Sequence, residues 1–302
     1  MCKASTEPGG PRRCSGDART ALARTQADAD HLQARHTALL LEALTSHTRR
    51  TAALSPSRAL DFKQCPQLYK FRVIDRIPEP PSPALARGNV VHAALEALHS
   101  LPANQRIPAA AHDLIAPAWD RVQASRQGGT ELTAEQVQEL LNEARAMIDR
   151  YYELEDPTRF TAAATEARFA AELADGTPLR GVIDRIDVAP TGETRVVDYK
   201  TGRRPPEAFQ SKALFQLKFY ALGMLRTAGV MPARLRLLYL GDGTVLDAAP
   251  DRAEIEGGFA RTVSALWQRI QTSTASGEFP PSPSRLCGTC AHKVRCPAFT
   301  TP

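Results

Sequence analysis

The run VVDYKTGR, Val196 to Arg203, closes a branched apolar stretch with Asp198 and Lys200 two positions apart and a glycine directly after. In a strand, residues i and i+2 share a face, with Cα atoms about 7 Å apart. An acid and a base so placed read either as a salt bridge at a strand end or as a catalytic pair. The preceding run, LRGVIDRIDVA, alternates. Alternation puts Val182, Asp184, Ile186 and Val188 on one face and Ile183, Arg185 and Asp187 on the other. A carboxylate among apolar side chains is costly unless it is paired, hydrogen-bonded or metal-bound. Asp184 and Asp198, on adjacent strands, can converge on one point. Such oxygen donors suit a hard divalent cation, and Mg²⁺ commonly takes one or two carboxylates together with phosphate and water. A neighbouring Lys200 can hold an attacking water or meet transition-state charge, while the metal acidifies bound water and neutralises phosphate. Asp187 reads as pairing with a surface base, and Arg185, Arg203 and Arg204 read as surface charges adjoining the site.

These residues need a scaffold. The patterned region begins at LSPSRALDFKQCPQLYKF, where Ser55 can cap a helix that has Pro56 at its first position. A Pro-rich link leads to a second helix, LARGNVVHAALEALHSL. Two further helices are predicted near 109–125 and 133–154. The later one is amphipathic, with Val137, Leu140, Leu141, Ala144, Met147, Ile148 and Tyr151 on one face. The period then changes from helix to strand. TEARFAAEL, LRGVIDRIDVA and GETRVVDYKTG suggest an antiparallel meander. A long helix over 207–228, a hairpin turning at Gly241–Gly243, and a last helix over 251–276 complete the pattern. The expected fold is α/β: a mixed sheet of roughly five strands flanked by helices, with a helical N-terminal lobe. Residues 1–53 read as an extension, polar at first and then helical over Asp17–His47; residues 54–302 read as the functional domain.

The 302 residues suffice for a real core, and 43% hydrophobic with 24% charged residues is a globular balance. No apolar run reaches membrane-spanning length, and the first residues lack the apolar stretch of a secretory signal. A cytoplasmic chain without a membrane partner is expected. The net charge of +5 is compatible with a polyanion. In a reducing compartment the six cysteines are not expected to form structural disulfides. Cys2 and Cys14 read as free thiols. Cys65 stands alone, whereas Cys287, Cys290 and Cys296 crowd the C-terminus. The C-x₂-C-x₅-C tail can hold zinc, with His292 available as a local fourth ligand.

Taken together, GVIDRIDV and VVDYKTG resemble the core of the PD-(D/E)XK nuclease superfamily, and specifically its RecB-family exonucleases, with a restriction-endonuclease-like sheet. The resemblance aligns Asp184, Asp198 and Lys200 with the acid and the D-x-K of that core. RGNVVHAALE resembles its G-x-x-x-H helix, which makes His92 a metal ligand. Glu166 matches the acid on the preceding strand. QLKFYALG resembles its Q-x-x-x-Y helix, with Gln216 and Tyr220 one turn apart. The resemblance implies Mg²⁺ or Mn²⁺ held by His92, Asp184, Asp198 and the main-chain carbonyl of Tyr199, with Glu166 assisting through water or a second ion. Lys200 then positions the nucleophile, and Gln216 and Tyr220 organise site and strand.

One cysteine before the nuclease motifs and three after is the layout of iron–sulfur members, similar to CRISPR-associated and AddB-type nucleases. It implies a 4Fe–4S cluster on Cys65, Cys287, Cys290 and Cys296, with zinc as the alternative. The implied activity is DNA hydrolysis, exonucleolytic on single-stranded ends, in repair or recombination. A non-catalytic DNA-end-binding module and a CRISPR spacer-processing nuclease are the rival readings. The chain contains no G-x-x-x-x-G-K-[ST] phosphate loop. The chain is therefore not expected to be a motor itself; the expectation is that it acts alone or supplies the nuclease to a separate helicase, or to a recombination or CRISPR protein.

Overall fold

The computed structural model describes residues 53–80, 82–125 and 132–300. The helix expected over Asp17–His47 and the thiols of Cys2 and Cys14 lie outside the described residues. Five strands form one sheet in the order β1-β2-β3-β4-β5: β1 Ala162–Glu172, β2 Pro178–Val188, β3 Thr194–Lys200, β4 Arg234–Tyr239 and β5 Thr244–Ala248. All neighbours run antiparallel except β3 and β4, which are parallel. The expected mixed α/β sheet is thus present.

Six longer helices cover it: α1 Pro56–Gln64, α2 Pro83–Ser100, α3 Ile115–Ala124, α4 Ala134–Leu154, α5 Ser211–Ala228 and α6 Ala260–Ser276. A parallel pair cannot be closed by a tight hairpin, so a crossover must join β3 to β4, and α5 is that crossover. Local chemistry sets the helix starts. The Ser55 hydroxyl accepts from Arg58 N at 3.4 Å, with Pro56 in the first turn. Thr133 and Gln136 form a reciprocal capping box on α4. The helix expected over 109–125 is interrupted at Leu114, between Pro108–Asp113 and Ile115–Ala124.

The sheet is covered on both faces. On one side α1, α5 and α6 pack Phe62, Phe215, Phe219 and Leu266 against Ile186, Val196 and Leu237. On the other, α2, α3 and α4 pack Val91, Leu95, Ile115 and Ile148 against Val197, Tyr199 and Leu238. The middle of β3, Val196 to Tyr199, therefore has no solvent face, and a charge there must be accounted for inside the protein.

Candidate active site

The alternation of faces along β1 and β2 contains a fault, and the site is built on it. Ala164 pairs with Ile186 and Ala167 with Ile183. All four turn to the α5-side core although each pair of neighbours along its strand is three residues apart. Strict alternation would put them on opposite faces. The phase changes at Glu166, whose φ of 46° is left-handed, directly opposite Asp184. That conformation costs a non-glycine residue on the order of 1 kcal/mol. It corrects the regular alternation expected of β2: Ile183 joins Ile186 in the core, while Val182 and Asp184 line a cleft with Glu166.

The β2–β3 ladder stops at Arg185 and Val197. Beyond it, Asp184 Oδ2 accepts a hydrogen bond from Tyr199 N at 2.8 Å, so a side chain replaces a backbone partner where the strands part. α2 brings His92 from above. A Cβ at Gly88, one turn earlier, would lie 3.3 Å from Thr201 Oγ1, so the helix seats closely on the end of β3. His92 Nδ1 lies 3.4 Å from Asp184 Oδ2, and its Nε2 lies 3.0 Å from the carbonyl oxygen of Tyr199. One ligand atom each from His92, Glu166 and Asp184 falls within 4.8 Å of the others, a spacing that suits a single cation.

Asp198 stands beside this trio rather than in it. It is buried, and its Oδ1 accepts from Gln216 Nε2 at 2.7 Å and from Tyr220 OH at 3.4 Å. Its Oδ2 lies 2.6 Å from Lys200 Nζ, so the lysine does curl back along the strand. Lys200 Nζ also donates to Gln216 Oε1 at 2.8 Å, and the Gln216 amide donates to Tyr220 OH at 2.7 Å. The crossover α5 thus ties acid and base of D-x-K together through one glutamine.

Electrostatics follow from this crowding. Burial and the adjacent Asp184 carboxylate push Glu166 up to about 7. Burial opposes the charged form of His92, but Asp184 outweighs it and holds the imidazole at about 9. Burial raises Asp198 against the pull of Lys200. Two acids that repel each other over a short distance, with a histidine beside them, form a donor set that a divalent cation relieves.

Arg185 corrects the reading of it as a surface charge. It is fully buried on the opposite face of the sheet. Its guanidinium donates to Tyr199 OH at 2.8 Å, Tyr151 OH at 3.3 Å and His99 Nε2 at 3.2 Å. It is ion-paired to Glu155 at 2.6 Å and to Asp187 at 2.9 Å. Asp187 does pair with a base near the surface, Arg195 at 2.7 Å, but with buried Arg185 as well. The network grips the side chain of Tyr199, whose backbone serves Asp184 and His92. A signal was available: Arg185 and Asp187 share a face of a strand whose sheet is flanked by helices on both sides. Arg204 donates to the Val245 carbonyl at 2.8 Å and its backbone N–H to Asp242.

The distant cysteines meet. Cys65, Cys287, Cys290 and Cys296 line one cavity, and the N–H of Ser282 donates to Cys65 Sγ at 3.3 Å. His292 is not among the lining residues; it is buried against Phe71 and bonds Glu79 at 3.0 Å. No described helix is long and apolar enough to cross a membrane.

The chain is 30% identical over 138 residues to the Gene 69 protein of Mycobacterium phage L5, covering 45% of each chain. That match spans less than half of the L5 protein's own length. It is 25% identical over 291 residues to the Gene 69 protein of Mycobacterium phage D29, covering 81% of this chain and 96% of that one. Among solved structures, SSO0001 covers 87% of this chain and 96% of its own at 16% identity and a TM-score of 0.40. The family model of the PD-(D/E)XK nuclease superfamily matches residues 53–297, and the chain belongs to that superfamily.

Proposed function

We propose that the chain is a Mg²⁺- or Mn²⁺-dependent deoxyribonuclease of the RecB type, acting as an exonuclease on single-stranded ends in repair or recombination. One observation carries this reading: the tight trio of His92, Glu166 and Asp184 lies in the same cleft as the Asp198–Lys200–Gln216 unit. His92, Asp184, Glu166 and the Tyr199 carbonyl would hold the cation, and Asp198, set beside them, would complete the set directly or through water or a second ion. When bound, the cation supplies Lewis acidity and acidifies water. Lys200, kept charged by Asp198 and Asp184 despite burial, is placed to orient the nucleophile or meet negative charge on the phosphate. Gln216 fixes the ammonium and carboxylate relative to each other, and Tyr220 holds Gln216.

The second part of the proposal is a 4Fe–4S cluster on the four cysteines, stapling the two ends of a domain that runs from residue 54. The fit rests on the donor set: four thiols on one cavity, drawn from both ends of the domain. His292, the local fourth ligand that the zinc alternative would use, is engaged with Glu79 instead.

The test is cleavage of end-labelled single-stranded and duplex DNA by protein purified without oxygen, with Mg²⁺ or Mn²⁺ added. Asp184→Ala and Asp198→Ala should abolish cleavage yet retain DNA binding, since each removes a negative charge facing phosphate. Full cleavage by Asp198→Ala would sink the assignment. Binding without any cleavage by the unaltered protein would favour an end-binding module instead.

A further inference from the structure

A groove of about 930 Å³ lies next to the 640 Å³ catalytic cleft. The two share Arg168, Val182, Gln216 and Tyr220, so they are one trough bent around the α5 side chains that hold Asp198. The backbone explains the opening. Leu54 bridges β2 at Leu179, with Arg180 N donating to Leu54 O at 2.8 Å. β3 joins the same edge of β2 only from Arg185 onward. Val182 lies in the gap, where both cavities reach the strand.

The charge in the new arm is net positive, Arg168 and Arg180 against Glu172. Arg168 and Arg180 line it, and neither forms an ion pair within 4.0 Å among the described residues. Arg58 lies behind its rim, donating to the Ala53 carbonyl at 2.9 Å. Burial and the like charge of Arg180 both work against the Arg58 guanidinium. Glu172 is the acid of the lining, and Ser55 and Ser57 add hydroxyls. The positive balance of Arg168 and Arg180, set on neighbouring strands, favours an anion in the arm. Arg168 is also within electrostatic reach of Glu166, so it spans the two arms.

We infer that this arm is the binding track for the polynucleotide strand beyond the scissile phosphate, with successive phosphates on Arg168 and Arg180 and one hydrogen bond from the paired hydroxyls of Ser55 and Ser57, which lie 3.1 Å apart. The inference rests on the nuclease reading and gives it a substrate class: a single strand several nucleotides long. Its volume is at the upper end of the roughly 300–1,000 Å³ of a small-ligand site. That admits a few linked nucleotides.

The test uses the full chain. Anisotropy of a labelled oligothymidylate, without divalent cation, is followed against salt. Each phosphate contact on a single strand contributes about 0.7 to the slope of log K against log salt. The double variant R168A/R180A should lower the slope by about 1.4, and R168K/R180K should restore it. With Mn²⁺, the loss of kcat/KM in R180A should grow with strand length, from small on a dinucleotide to about tenfold on a long oligothymidylate, the size of a single good contact. An unchanged slope in R168A/R180A, or an equal loss of kcat/KM at every strand length, would overturn the inference. If the unaltered protein cleaves nothing, the nuclease reading fails, and the salt slope still decides whether the groove holds a strand.

Discussion

Replacing Arg185 by methionine tests whether the charge cluster behind the sheet holds the fold together. The change keeps much of the side-chain volume and removes the guanidinium. Removing one partner from a buried ion pair typically costs about 3–5 kcal/mol, because the other charge is left stranded. Here the stranding is incomplete. Glu155 retains Arg195 and Arg236, each at 3.3 Å, and Asp187 retains Arg195 at 2.7 Å. Those two arginines are 27% and 25% exposed, so water already screens them and they compensate only partly. The hydroxyls of Tyr151 and Tyr199 also lose a charged donor. The expected destabilisation is therefore near the low end, about 3 kcal/mol. For a domain of this size that is a fall in Tm of about 6–12 °C. Urea unfolding followed by circular dichroism, with Tyr199→Phe as a milder companion that loses one hydroxyl, measures it. A loss below about 1 kcal/mol for Arg185→Met would refute the argument, since exposed pairs alone are worth that much.

Gly223→Ala on α5 should destabilise the domain: a Cβ there would sit 2.3 Å from the ring of Phe169, and overpacking of about 1–3 kcal/mol outweighs the gain of up to about 1 kcal/mol in helix propensity. Denaturant midpoints decide it, and a more stable variant would show that the ring can move aside. Burial, then Arg185 and Arg106, hold His99 down at about 3 against an ordinary 6.5. The unfolded chain therefore binds the extra proton, and this contribution is complete above pH 6.5 and lost as pH falls towards 3, at up to about 1.4 kcal/mol per unit. His99→Gln should flatten the stability–pH curve in that window, and an unchanged slope would count against a buried neutral imidazole. Protein purified without oxygen should be brown with about four irons per chain, and Cys65→Ser should bleach it as fully as Cys290→Ser. One zinc retained after Cys65→Ser would point to the local set with His292 instead.

Much of this protein was legible in its sequence because the signals were local. Ser55 with Pro56 and Thr133 with Gln136 satisfy helix-end N–H groups through neighbours in the chain, so both helix starts could be read directly. The change of period at β1, and the acid–base pair ending β3, likewise need no partner from afar. Tertiary structure decided how completely the charges are buried. Flanking helices were expected, but only their packing shows Arg185 sealed beneath one of the two layers. Strict alternation failed at Glu166 because a left-handed residue is a cost that β1 bears only where cross-strand packing and the cleft demand it. The Q-x-x-x-Y resemblance marked Gln216 and Tyr220 on α5 but not the atoms they bond. A crossover between parallel strands had to lie on one face or the other, and that choice set Gln216 between Asp198 and Lys200. The chain order of Cys65 and Cys287 carries no distance; closure of the domain around the sheet is what brings them to one cavity.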